Sequence, residues 1–363
     1  MAMETNKKLL EKYAGLITSE KDLTGGSAPS ILYGLLCNRM RYLLDEDPQT
    51  ITPRSIQWRR NIHFLIRALG PAFLHERQII ENRNQLRNPN AESPLPDTGI
   101  QLPKAPVIWA ANHGFKDDVA ATILAAQRHT YLVLASLPIF FNTLDGISSW
   151  AIGVILANRK IQASRKTVIP KAVRCLSLGA DITMFPEGVW NKSPNRLLLD
   201  LWPGIYRIAC ETGSLVVPVV HYIRDDTNHE KHNPIHTVVD DPVRIDDLSE
   251  SAALSYLRDI MATWYYLMME RYGKSTWAEV LGENVRSAEY WEKKLTDRRK
   301  TASFYDREIE TCADYRPRWK TEARTVWESI AAINEISAEN ADAVAFASNL
   351  IEQLKTNDFQ RRF

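Results

Sequence analysis

Apolar residues change their spacing twice along this chain. Trp58, Ile62, Leu65, Leu69 and Phe73 recur at steps of four and three, which puts them on one face of a helix. Gly70-Pro71 kinks or splits that helix. From residue 107 the pattern becomes short apolar runs rich in β-branched side chains, and strands are predicted at 107–111, 131–135, 154–157, 181–185 and 215–220. Helical windows at 119–128, 166–178 and 204–212 lie between them. Strands alternating with helices of this length predict a layered α/β domain. From residue 248 no further strand run is read. Leu254, Leu257, Met261, Trp264 and Met268 form one helical stripe that suits core packing, with Gly273 as its stop. Later helical windows surround Trp327 and Ile330, then Phe346, Leu350 and Leu354.

Pro89, Pro94, Pro96, Pro103 and Pro106 crowd one short stretch. Proline removes backbone donors and disfavours helix in the residue before it, so this stretch is a connector. The predicted organisation is a helical N-terminal extension at 1–88, a proline-rich connector at 89–106, an α/β domain at 107–246 and a helical C-terminal extension at 247–363.

The chain has 363 residues, 45% hydrophobic and 25% charged, which is enough apolar surface to exclude a wholly disordered protein. Its 45 Lys+Arg against 44 Asp+Glu leave a net charge of +1, so no global charge argues for a nucleic-acid partner. Cys37, Cys175, Cys210 and Cys312 form no CxxC pair, and incidental thiols in a reducing compartment are expected rather than disulfides or a zinc ribbon. The first residues carry charges where a secretory leader needs an apolar run. No stretch reaches the ~18 uninterrupted apolar residues of a spanning helix. A cytoplasmic protein is the expectation.

Candidate chemistry begins where the first predicted strand runs into Asn112-His113-Gly114-Phe115-Lys116-Asp117-Asp118. A histidine at a strand end can take a proton near neutrality, and a carboxylate at the following helix start can fix its tautomer and stabilise the imidazolium. The same segment also fits a helix cap beside a loop histidine. The run from Gly153 ends in Arg159, placed to make a bidentate contact with a phosphate in the crevice at the strand ends, although Lys160, Arg165 and Lys166 make a solvated basic edge the competing reading. The next strand ends in Phe185-Pro186-Glu187-Gly188, a tight turn that presents Glu187 and backbone N–H groups to the same crevice. The chain contains no GxSxG elbow, so no serine nucleophile is indicated.

Taken in order, Asn112-His113 with Asp118, Gly153 with Arg159, Phe185-Pro186-Glu187-Gly188 and Val217-Pro218-Val219 resemble the NHx4D, GxxxxxR, FPEG and VPV blocks of the glycerophospholipid acyltransferase family, the lysophosphatidate acyltransferase-like enzymes. The resemblance implies an α/β fold with a central mixed sheet flanked by helices. It implies transfer of a fatty acyl group from a thioester, acyl-CoA or acyl carrier protein, directly to the hydroxyl of a lysophospholipid such as 1-acylglycerol-3-phosphate. His113 would act as general base oriented by Asp118. Arg159, Glu187 and Gly188 would hold the acceptor head group, with Asn112, Gly153, Phe185, Pro186 and Pro218 in support. No metal and no cofactor beyond the thioester co-substrate is implied.

Three positions depart from that family. Trp190 stands where a second phosphate-binding arginine is usual, and Pro203 and Ser136 stand where lysines are frequent. Lys160, Arg165, Lys166 and Lys192 are the cations available to compensate. The departures keep two alternatives open: the same chemistry on a non-phosphate acceptor, and a catalytically weak lipid-binding module of the same fold.

Two further features complete the reading. Arg59, Arg60, His63 and Arg67 lie opposite the apolar stripe of the 55–70 helix, a pattern that fits contact with an anionic membrane surface on the inner face, or a helix docked on the domain with a solvated basic back. His229, His232 and His236, near Asp225, Asp226 and Asp240, read as a solvated polar loop rather than a metal site.

Overall fold

Strands that are apolar along their whole length must be covered on both faces. The computed structural model, which describes residues 39, 42–69, 77–87, 99–114, 117–135, 144–157, 162–188, 198–223 and 234–272, has that construction. Seven strands, β1 (Gln78–Ile80), β2 (Ile108–Ala111), β3 (Thr130–Leu134), β4 (Val154–Leu156), β5 (Asp181–Met184), β6 (Val216–Ile223) and β7 (Ile235–Val239), form one sheet in the order β1-β7-β6-β2-β5-β3-β4. Strands β6, β2, β5, β3 and β4 run parallel; β7 is antiparallel to β6, and β1 is parallel to β7. The helices are α1 (Pro53–Leu69), α2 (Arg83–Arg87), α3 (Asp118–Ala125), α4 (Leu144–Ile152), α5 (Gln162–Ser177), α6 (Gly204–Thr212) and α7 (Glu250–Tyr272). The fold is α/β with a mixed sheet flanked by helices, as expected.

Alternation along each strand divides its side chains between two cores. Ile108, Ala110, Ile182, Met184, Val216 and Val220 pack with residues of α5, α6 and α7, whereas Val107, Trp109, Ala111, Val217 and Val219 pack with Ala125 and Ala126 at the end of α3. Asp181, buried at the start of β5, accepts hydrogen bonds from the Val107 N–H (3.1 Å), the Trp109 indole N–H (2.9 Å) and Arg128 Nε (3.0 Å). It pins the start of β2 against β5. In α7, Leu257, Met261, Trp264 and Met268 are buried and Leu254 packs beside them, so that stripe is core.

The sheet reaches outside residues 107–246. Strand β1 lies in the stretch read as helical extension, and Ile51, Ile56 and Leu86 join the main core. Strand β7 occupies part of the segment read as a solvated loop, with all five of its residues buried. His236 stands on that strand with Nδ1 2.6 Å from Glu81 Oε1, stacked on the Tyr272 ring at 3.7 Å, and Asp240 accepts from Arg83 and Trp264. Among the described residues no group of His, Cys, Asp or Glu is arranged to hold a metal. Asp225, Asp226, His229 and His232 lie outside the described residues, as do Cys37, Cys312 and the helical windows beyond residue 272. Among the described residues no helix is long and apolar enough to cross a membrane.

Helix α1 is rotated about its axis from the orientation its apolar spacing predicts: Trp58 and Ile62 of the stripe pack at the edge of a buried cluster, but the face turned fully inward is that of Ile56, Arg59 and His63. Arg59 and His63 are buried, whereas Leu65 is 54% and Leu69 56% exposed, with Phe64 at 73% beside them. The cause is the surface beneath. The Arg59 guanidinium sits over Tyr42 (4.7 Å), Trp150 (5.4 Å), Trp58 and Tyr131 (5.7 Å each) and donates to the Trp150 carbonyl. Aromatic faces accept a desolvated cation that an aliphatic wall would reject. His63 meets His129 edge to face at 5.5 Å, and Arg60 and Arg67 donate to the carbonyls of Gly179 and Gln127. Of the basic side, Arg59 and His63 are therefore buried, whereas Arg60 stays exposed and Arg67 half-buried.

Burial, reinforced by His129 and Arg67, pushes the His63 imidazole down to about 3, and burial pushes His129 down to about 4. Both are neutral in the fold and titrate near 6.5 when unfolded, so their contribution to stability is fully present above pH 6.5 and is lost as the pH falls through 4 to 3. The two together weaken the fold on acidification by on the order of a few kcal/mol. Melts followed by circular dichroism are expected to show the midpoint falling from neutral pH to about pH 4, and falling less steeply in His63→Leu. Parallel curves would contradict the assignment.

Candidate active site

Strand β2 lies between β6 and β5, and all three run the same way, so their carboxyl ends open on one crevice. The next residue, Asn112, is buried, and its side chain continues the ladder that the backbone leaves: Nδ2 donates to the His221 carbonyl at 3.0 Å, and Oδ1 accepts from the His221 N–H at 2.7 Å. That amide fixes where the chain turns off the sheet.

His113 follows. Its backbone N–H donates to Glu187 Oε1 at 2.9 Å, its ring lies 4.7 Å from that of Phe185, and its Nδ1 is 2.7 Å from Asp118 Oδ2. Asp118 is the first residue of α3, where the helix dipole favours a negative charge, and it also accepts from the Gly114 N–H at 3.0 Å. An ionised carboxylate can only accept, so Nδ1 carries the ring hydrogen and Nε2 holds the lone pair. The His113 side chain is 20% exposed and that of Asp118 is 1% exposed. This pair has the geometry of a general base with its orienter.

The second wall comes from the end of β5. Phe185-Pro186-Glu187-Gly188 closes as a turn in which the Gly188 N–H donates to the Phe185 carbonyl at 2.8 Å, and Gly188 adopts a φ of 70°, a left-handed conformation that suits glycine. The Pro186 carbonyl accepts from the Trp202 N–H at 2.8 Å. Glu187 is 1% exposed, and its second oxygen accepts from the Leu199 N–H at 2.8 Å. Burial pushes its carboxyl up to about 7, against the pull of the two backbone donors and His113. Glu187 thus faces protein and stands behind His113, rather than beside an acceptor in the crevice as the motif led us to expect.

The remaining candidates divide. Gly153 stands at the opposite end of β4 from the crevice with a φ of 119°, and a Cβ there would come within 2.7 Å of the Tyr131 ring, so its requirement is for space and backbone conformation. Pro218 pairs with Ala110 in the β2–β6 register, and the β6–β7 register begins only at Val219. The Leu215 and Val219 carbonyls bond β2, so Pro218 turns its nitrogen to the other side, outside the β6–β7 register, where the missing N–H breaks no ladder pair with β7. Arg159 and Trp190 lie outside the described residues. Reading the sequence missed His221, Thr122 and Thr237, which pack behind the pair. Single polar residues inside apolar strands and helices carry no spacing signal.

Residues 77–222, which contain both walls of this crevice, match a family model described as Acyltransferase. Among solved structures the chain is similar to the 1-acyl-sn-glycerophosphate (LPA) acyltransferase PlsC from Thermotoga maritima, at 15% identity and a TM-score of 0.41, over 63% of this chain and 86% of that one. No curated protein matches the chain.

Glu187→Ala leaves two buried N–H groups without their acceptor and is expected to cost about 1–3 kcal/mol in urea unfolding. The raised carboxyl adds a sign: its own stabilisation is complete below pH 4.5 and is lost as the pH rises through about 7. The stability difference between wild type and Glu187→Gln is therefore expected to shrink over that interval, and a difference that stays constant would contradict the assigned titration.

Proposed function

We propose, from the premise that residues 77–222 form an acyltransferase-family domain, that this protein moves a fatty acyl group from an acyl thioester to the hydroxyl of a lysophospholipid. The observation that carries the reading is the His113 imidazole at the carboxyl edge of the sheet, with its Nδ1 2.7 Å from Asp118 Oδ2. A ring so placed suits removal of a proton from an alcohol.

The transfer runs in one sequence. Nε2 takes the acceptor hydroxyl proton while that oxygen forms a bond to the thioester carbonyl carbon. The tetrahedral adduct then collapses, the carbon–sulfur bond breaks, and the imidazolium returns its proton to the leaving thiolate. The products are an ester and a free thiol, with no acyl-enzyme between them. Asp118, nearly free of water, stabilises the imidazolium during the step.

The acceptor is proposed to be a 1-acylglycerol-3-phosphate-like lipid, its head group met by Arg159 and the Gly188 turn, and the donor acyl-CoA or acyl carrier protein. The resemblance in the motif blocks supports those assignments. Trp190 and Pro203, in place of two expected cations, favour the same chemistry on a non-phosphate alcohol as the second reading.

Thiol release from acyl-CoA, followed with and without lysophosphatidate, tests the proposal. Release is expected to depend on the acceptor and to fall by about 10²–10⁴-fold in His113→Ala. Release that needs His113 but not lysophosphatidate would select the second reading. Release unaffected by the substitution would sink the mechanism.

A further inference from the structure

His221 on β6 is bonded to a neighbour of each half of the candidate pair without belonging to it: Asn112 beside His113, and Thr122 one turn from Asp118. Its backbone N–H and carbonyl are both bonded to the Asn112 amide, the residue before His113. Its ring, 1% exposed, places Nε2 2.8 Å from Thr122 Oγ1 and Nδ1 2.9 Å from Thr237 Oγ1. Thr122 lies one turn along α3 from Asp118 and donates its hydroxyl hydrogen to the Asp118 carbonyl at 2.7 Å.

These contacts fix every proton in the chain. The Thr122 hydroxyl has already donated, so toward His221 it can only accept, and Nε2 carries the ring hydrogen. Nδ1 is then the acceptor and Thr237 the donor, and the Thr237 oxygen in turn accepts from Gln78 Nε2 at 2.9 Å. One directed series runs from Gln78 through Thr237, His221 and Thr122 to the Asp118 backbone. A neutral ring is what such a series needs, and burial pushes His221 down to about 4 despite the opposing field of Asp118.

We propose that His221 is a positioning residue for the His113–Asp118 pair: its backbone holds the end of β2 through Asn112, and its ring holds the first turn of α3 through Thr122. Both ends of the segment that carries the pair are thereby tied to one residue of the neighbouring strand. The inference rests on the acyl-transfer reading for its kinetic consequence, but its geometric content stands apart from it.

The test cuts the series at Thr122, which can be changed without enlarging the site. Thr122→Val keeps the shape and removes the hydroxyl; Thr122→Ser keeps the hydroxyl. In the thiol-release assay Thr122→Val is expected to lower kcat by about tenfold or more with little change in KM, as a misplaced base does, and Thr122→Ser to stay close to wild type. His221→Leu leaves the Asn112 clamp, which is to the backbone, and combined with Thr122→Val it is expected to add little, because both cut one series. A second readout needs no turnover: the ¹H resonance of the proton between His113 and Asp118, assigned by its loss in His113→Ala, should move or broaden in Thr122→Val and hold its position in Thr122→Ser. An unmoved resonance in Thr122→Val, or equal damage from Ser and Val, overturns the proposal. A protein whose resonance responds as expected but which releases no thiol keeps the positioning role and loses the acyl-transfer reading.

Discussion

Two carboxylates flank β5, and both reach across to β2. Asp181, at the start of β5, accepts the Val107 N–H just before β2; Glu187, in the turn after β5, accepts the His113 N–H just after β2. A buried carboxylate without donors costs several kcal/mol, so each of these side chains holds its backbone partners in place as the condition of being buried at all. Glu187 also takes the Leu199 N–H, which brings a third segment to the crevice. The carboxyl pushed up to about 7 shows that its donors offset the burial only in part. The position of His113 is thus set by the backbone before its ring finds Asp118.

How much of this could be read from the sequence follows from what hydrophobic spacing records. Strands β2, β5 and β6 were legible because strands covered on both faces are largely apolar, with few polar positions such as Asp181, Thr183 and His221, and the turn residues after β2 and β5 stood where such runs stop. Strand β1 is three residues long, and β7 follows a polar stretch that hides its Ile235–Val239 run, so neither produced a pattern of its own. Helix α1 was legible as a helix but not in its orientation. Spacing counts apolar residues, and the aromatic wall formed by Tyr42, Tyr131 and Trp150 prefers a cation to another leucine. The block at Glu187 was found, but its task was not, because burial of a turn residue depends on the 198–203 segment that closes over it.

The histidines show the same limit in sharper form. His63, His129 and His221 are buried and held neutral, whereas the His113 side chain keeps one-fifth of its surface exposed beside a carboxylate. As letters in the sequence they are equivalent, and only the NHx4D spacing singles out one of them. The distinction lies in the partners. His221 binds two hydroxyls, each of which can donate or accept; His113 binds a carboxylate, which when ionised can only accept. A ring between hydroxyls settles into a fixed series, whereas a ring against a carboxylate gains stabilisation when it becomes positive.

For the transfer proposed, that difference sets what the scaffold must supply. Without an acyl-enzyme, the base, the hydroxyl and the thioester carbon have to line up in one step, and an error of about 1 Å in the base costs on the order of a hundredfold. The ties on the pair come from both sheet neighbours of β2: Glu187 after β5 holds the His113 backbone, while His221 on β6 holds Asn112 and, through Thr122, the helix that carries Asp118. A base mounted on an edge strand would have one such neighbour. Mounted between two parallel strands, with polar side chains from each closing on its loop, His113 is located by the sheet itself, and the crevice is left to the molecules that react there.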